Sequence, residues 1–150
     1  IEPRRELMLQ ADHRRALIKI DFLVRLAGRV GMVVRFGPGS LVSRERPALA
    51  ISRLVEAYQV PIAVVTNGED AEVLAAGSGA VAGRGLDAIP SRSELLALMD
   101  AHSFEALAPQ RAVMEGRVAY CYEVDGACPC DDTICRLPEG GSRKEEGGID

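Results

Sequence analysis

The opening residues of the chain alternate loosely between apolar and polar positions, with the two-residue period of strands. Arg4–Gln10 (RRELMLQ) predicts a first strand, and the polar run from Ala11 to Arg15 predicts a turn. Leu17–Val24 predicts a second strand, rich in β-formers and apolar on both faces around one carboxylate, Asp21. Ala27-Gly28-Arg29 then turns the chain into a third strand, Val30–Phe36. Connections this short join antiparallel neighbours, so the three strands read as a meander.

Gly37-Pro38-Gly39-Ser40 ends the third strand, and Ser43 is placed to cap a helix with Pro47 in its first turn, where a missing N–H costs nothing. Ile51, Leu54, Val55 and Tyr58 follow at i, i+3, i+4 and i+7, giving that helix one buried face before Pro61 stops it. Ile62–Thr66 is a continuous apolar run of the kind buried on both faces, and Asn67-Gly68 turns it toward a further strand over Ala71–Ala75. A Gly-rich stretch runs on to Gly85. Ser91-Arg92-Ser93-Glu94 is a capping box opening a helix through Met99, and Pro109 opens another to about Tyr122. A helix between Val30–Phe36 and Ile62–Thr66 is a crossover, which makes those two strands parallel neighbours. The expected fold is α/β (α+β): a mixed sheet with flanking helices.

Composition narrows the function classes only a little. A chain of 150 residues with 47% hydrophobic and 27% charged positions suits one soluble domain with a real core. Three Tyr, three Phe and no Trp leave that core to Leu, Val, Ile and Ala. The net charge of −4 exerts no global pull on nucleic acid, so DNA contact would need a local basic patch. No apolar run reaches membrane-span length and no signal-peptide pattern opens the chain, which points to the cytoplasm. The start at Ile1, without methionine, points to a fragment lacking an upstream element such as a helix. The expected organisation is a domain over residues 1–122, a Cys-rich knuckle over 121–137 and a disordered tail over 138–150.

The stretch IKIDFLVRLAGRVGMVVRFGPGSL, the helix ending in Tyr58 and then PIAVVTNGEDAEVL resemble the N-terminal domain of type I restriction enzyme R subunits, a PD-(D/E)XK nuclease-like domain. The resemblance covers about the first half of the chain and implies a restriction-endonuclease-like sheet. It matches Asp21 to the family's aspartate strand, and Val65-Thr66-Asn67-Gly68 to its Thr-Asn-Gly turn. The next strand departs from the pattern. Where the family carries Glu-X-Lys this chain has Arg35-Phe36-Gly37, and where its helix carries a Gln this chain has Leu54. In active members, the resemblance implies, the two acids hold Mg²⁺ or a similar ion and the lysine helps activate water. A guanidinium beside Asp21 opposes this, because it pairs with the carboxylate and repels the cation.

Three readings of function therefore stand: a non-catalytic nuclease-fold accessory domain binding nucleic acid or a DNA-processing partner, a metal-dependent DNA endonuclease, or a protein-interaction module. In the first, Asp21 is a vestigial ligand held in a structural ion pair with Arg35. In the second, Mg²⁺ returns because a relocated acid, Glu45, joins Asp21. Nucleic-acid contact is expected from Arg35, Gly37, Gly39, Ser40, Arg44 and Arg46, where glycines admit a ligand to the backbone beside a helix start. The same residues also describe a tight strand-to-helix connection with solvated arginines. Cys121, Cys128, Cys130 and Cys135 follow C-x6-C-x-C-x4-C, four thiolates that suffice for a tetrahedral Zn²⁺. An iron–sulfur cluster, disulfides and unligated thiols remain open alternatives. His13 and His102 are read as surface residues.

Overall fold

Six strands in chain order form one mixed sheet in the computed structural model, which describes residues 1–126. The strands are β1 (Glu2–Ala11), β2 (Arg14–Leu26), β3 (Arg29–Phe36), β4 (Ile62–Thr66), β5 (Ala71–Ala75) and β6 (Val81–Arg84). Three α-helices accompany them: α1 (Val42–Leu54), α2 (Arg92–Asp100) and α3 (Pro109–Glu123). β3 and β4 are parallel, as the α1 crossover requires, and every other neighbouring pair is antiparallel. The Ala27-Gly28 turn takes both residues into positive φ (52° and 80°), the twist that suits a two-residue hairpin.

Alternation along the strands divides the core between two faces. Leu9, Ala11, Ile20, Leu23 and Val33 point to the face covered by α1 and α3. Met32, Ile62, Val64 and Val73 point to the other, covered by Leu95 and Met99 of α2. The two-residue period breaks once on β2. Ile20 and Leu23 are three apart yet both fully buried in one cluster, and the β1–β2 register passes over Arg4 (φ 57°) and Asp21 between its paired positions. The break falls at the single carboxylate of the strand.

Several expectations need correction. Leu41, not Ser43, precedes α1, and no side chain caps it; the Ser43 hydroxyl donates to the Ser40 carbonyl instead. Pro47 consequently lies more than one turn inside the helix. The helix ends at Leu54, so Tyr58 is outside it, and its hydroxyl accepts a 2.8 Å hydrogen bond from the Val30 amide. The glycine-rich stretch contains β6, whose pairing needed a partner strand that its own composition does not announce. The capping box is present, with both reciprocal bonds between Ser91 and Glu94. His102 is half-buried, packed edge-on to Phe104 and hydrogen-bonded to the Gln59 carbonyl. Among the described residues no helix is long and apolar enough to cross a membrane. Cys128, Cys130, Cys135, most of the expected knuckle and the whole tail lie outside the described residues; Cys121 is on α3.

Candidate functional site

The β2–β3 hairpin sets Phe22 opposite Val34, so the next pair along the ladder is Asp21 and Arg35. Arg35 Nη1 lies 3.2 Å from Asp21 Oδ2, the ion pair expected from the sequence. The same Oδ2 accepts a 2.9 Å hydrogen bond from the Phe36 amide. On its far side Arg35 Nη2 donates to Glu123 Oε1 at 2.6 Å, and Nη1 also donates to the Lys19 carbonyl at 2.8 Å. With its side chain only 15% exposed, Arg35 is a half-dry guanidinium held between two carboxylates, one from the sheet and one from the last turn of α3.

Gly37 stands where the resemblance asks for lysine, and the space its missing Cβ would take is filled by the Arg44 guanidinium from the first turn of α1. Arg44 donates to the Pro38 carbonyl at 3.0 Å, while Gly37 N bonds the Thr66 carbonyl and Asn67 Nδ2 bonds the Gly39 carbonyl. The loop of Gly37, Gly39 and Ser40 is thus tied to the end of β4 and to the Asn67-Gly68 turn. A positive charge returns to the lysine's neighbourhood from a different element. A divalent cation does not fit this set of side chains: the second acid position holds a guanidinium, which is ion-paired with Asp21, and Asp21 also accepts from the Phe36 amide.

Arg46 points elsewhere. It pairs with Glu115 of α3 at 2.8 Å, and that fully buried carboxylate also receives Arg53 at 3.0 Å and Arg111 at 2.8 Å. Burial alone would raise the Glu115 pKa, but the hydrogen bonds and charges of its three arginines win and hold it below the usual carboxylate value. Arg53, buried and also bonded to the Ala76 carbonyl, is pulled below its usual value mainly by desolvation.

Glu45 does not meet Asp21. Its carboxyl lies beside that of Glu72 on β5, which is 7% exposed and has one buried oxygen without a hydrogen-bond partner among the described residues; Arg84 reaches the second oxygen at 3.4 Å. The Glu45 pKa is pushed up to about 7, first by the neighbouring Glu72 carboxyl and then by burial. Asp21 on β2 and Glu72 on β5 are three strand spacings apart, about 14 Å. Among the described residues no group of three or more His, Cys, Asp or Glu side chains is placed to hold a metal ion.

Glu123, Glu115 and Glu72 escaped the sequence reading. Helical spacing could have found Glu115, because it lies three and four residues before the buried Val118 and Ala119. Strand alternation could have found Glu72, two residues before the buried Leu74. Nothing local marks Glu123. Compared with known proteins, residues 1–90 match the family model described as type I restriction enzyme R protein N terminus. Neither the curated proteins nor the solved structures contain a match.

Proposed function

The chain belongs to the family of type I restriction enzyme R protein N termini, and from that premise we propose that it is an accessory domain of nuclease-like fold that does not cleave DNA. In this reading the domain serves a restriction system by holding nucleic acid. Arg35 is the observation that carries the proposal. Its guanidinium takes the seat between Asp21 and Glu123 that a catalytic cation would need, and it brings a fixed positive charge that no proton loss removes. Without concentrated negative charge there is no means of binding Mg²⁺ and lowering the pKa of its water. The endonuclease reading built on Asp21 and Glu45 gains no support, since Glu45 faces Glu72.

Nucleic-acid contact then falls chiefly to Arg44 and the Gly37–Ser40 backbone. Arg46 spends its charge on Glu115, and Arg35 spends its own on two carboxylates. Plasmid and single-stranded DNA incubated with the domain in Mg²⁺ or Mn²⁺ should stay intact. A labelled duplex should bind weakly at low salt, with affinity falling steeply as salt rises, and Arg44→Ala should weaken it. Cleavage lost on Asp21→Ala would overturn the proposal. Absence of DNA binding would move the function to a protein partner.

A further inference from the structure

The helices cover the sheet unevenly. α2 packs over β3, β4 and β5, leaving that same face of the β1–β2 hairpin and the end of β3 open. Met8 and Leu17 sit opposite one another there and are each 52% exposed, while Phe22 (43%) and Phe36 (52%) lie farther along the same face, beyond the Glu6–Lys19 pair. Two exposed apolar pairs on one uncovered sheet face, Met8–Leu17 and Phe22–Phe36, are more than scattered exposure explains. The pairs on either side of Met8–Leu17 are polar: Glu6 opposite Lys19, and Gln10 opposite Arg15, all exposed.

We propose that this face joins a second copy of the chain, sheet against sheet. The pattern is self-complementary, as an interface between identical copies must be. A two-fold axis running along the strands between β1 and β2 exchanges the two strands. It sets Glu6 of one copy against Lys19 of the other, Met8 against Leu17, and Gln10 against Arg15. The Met8–Leu17 and Glu6–Lys19 contacts each form twice, and Arg15 meets the neutral Gln10. Nucleic acid is a poorer occupant, because Glu6 offsets Lys19 and leaves an apolar centre. A patch two strands wide, the β1–β2 hairpin of each copy, lies at the small end of stable interfaces, so association is weak, with a dissociation constant on the order of tens of micromolar.

Sedimentation of the whole chain across a concentration series from about 1 to 300 µM bracketing that constant tests this. The mass should rise from one copy toward two. Glu6→Lys should raise the dissociation constant about tenfold or more, and Glu6→Lys combined with Lys19→Glu should restore it, since the swap recreates both cross-pairs. Because these side chains are exposed, circular dichroism should be unchanged in every variant. A monomer throughout the series would overturn the proposal. So would a dimer indifferent to Glu6→Lys, or one that Met8→Lys leaves intact.

Discussion

At the scale of single residues, two carboxyl groups that looked equivalent in the sequence have opposite surroundings. Asp21 lies against Arg35 and the Phe36 amide, whereas Glu45 lies beside the Glu72 carboxyl and has its pKa raised. The second arrangement has a pH signature. Glu45 has its folded pKa raised from 4.5 to about 7, so below 4.5 both folded and unfolded chains hold the proton and nothing is lost. As pH rises from 4.5 toward 7 the unfolded chain releases the proton first, and stability falls. Glu45→Gln, which keeps a donor for Glu72 without the charge, should therefore stabilise the domain at pH 8 by about 1–2 kcal/mol after solvent screening, and change little at pH 4.5. Urea unfolding at both values checks this; an equal effect at the two pH values would mean that the Glu45 pKa is not raised. The Asp21–Arg35 pair was legible in advance only in outline: the short turn makes β2 and β3 antiparallel neighbours, but a register shift at Val24–Arg25 moves Asp21 from a place opposite Val34 to one opposite Arg35. The Glu45–Glu72 pair was not, because it depends on how α1 rotates over β5.

At the scale of elements, α3 is bound to the sheet layer by charge as well as by Leu9, Ala50, Val118 and Tyr120. Its Glu115 gathers Arg46 and Arg53 from α1 and Arg111 from its own first turn, and its Glu123 reaches Arg35 on β3. Gly116 sits against the Gln10 carbonyl with no room for a Cβ, so α3 approaches β1 closely there. Removing the Glu115 carboxylate would strand Arg53 in the core with one carbonyl for a partner. Glu115→Ala should accordingly cost about 3–5 kcal/mol in urea unfolding, the loss typical of a broken buried pair. A loss within error would show that the arginines find other partners. Helix α3 itself was readable from Pro109 onward, yet its docking was not, since contacts between residues 46 and 115 leave no local trace. The error at the end of α1 has the same origin. The i, i+3, i+4, i+7 spacing continues through Tyr58, but the hydrogen bond from Val30 to its hydroxyl draws that residue out of the helix.

At the scale of the whole molecule, the order β1-β2-β3-β4-β5-β6 follows from connection lengths: short turns give antiparallel neighbours, and the one helical crossover gives the one parallel pair. That part of the architecture was legible in the sequence, as was the family. β6 was not, because Val81–Arg84 has a strand's pairing without a strand's composition. The proposed function rests on a cation supplied by the protein itself, Arg35 between Asp21 and Glu123. A titration of the domain with Mn²⁺, followed by electron paramagnetic resonance in parallel with the Asp21→Asn variant, tests that claim most directly. The account predicts that Asp21→Asn leaves the bound fraction unchanged, because no ion is held at Asp21 while Arg35 is in place. Binding of about one Mn²⁺ per chain that disappears in Asp21→Asn would contradict it.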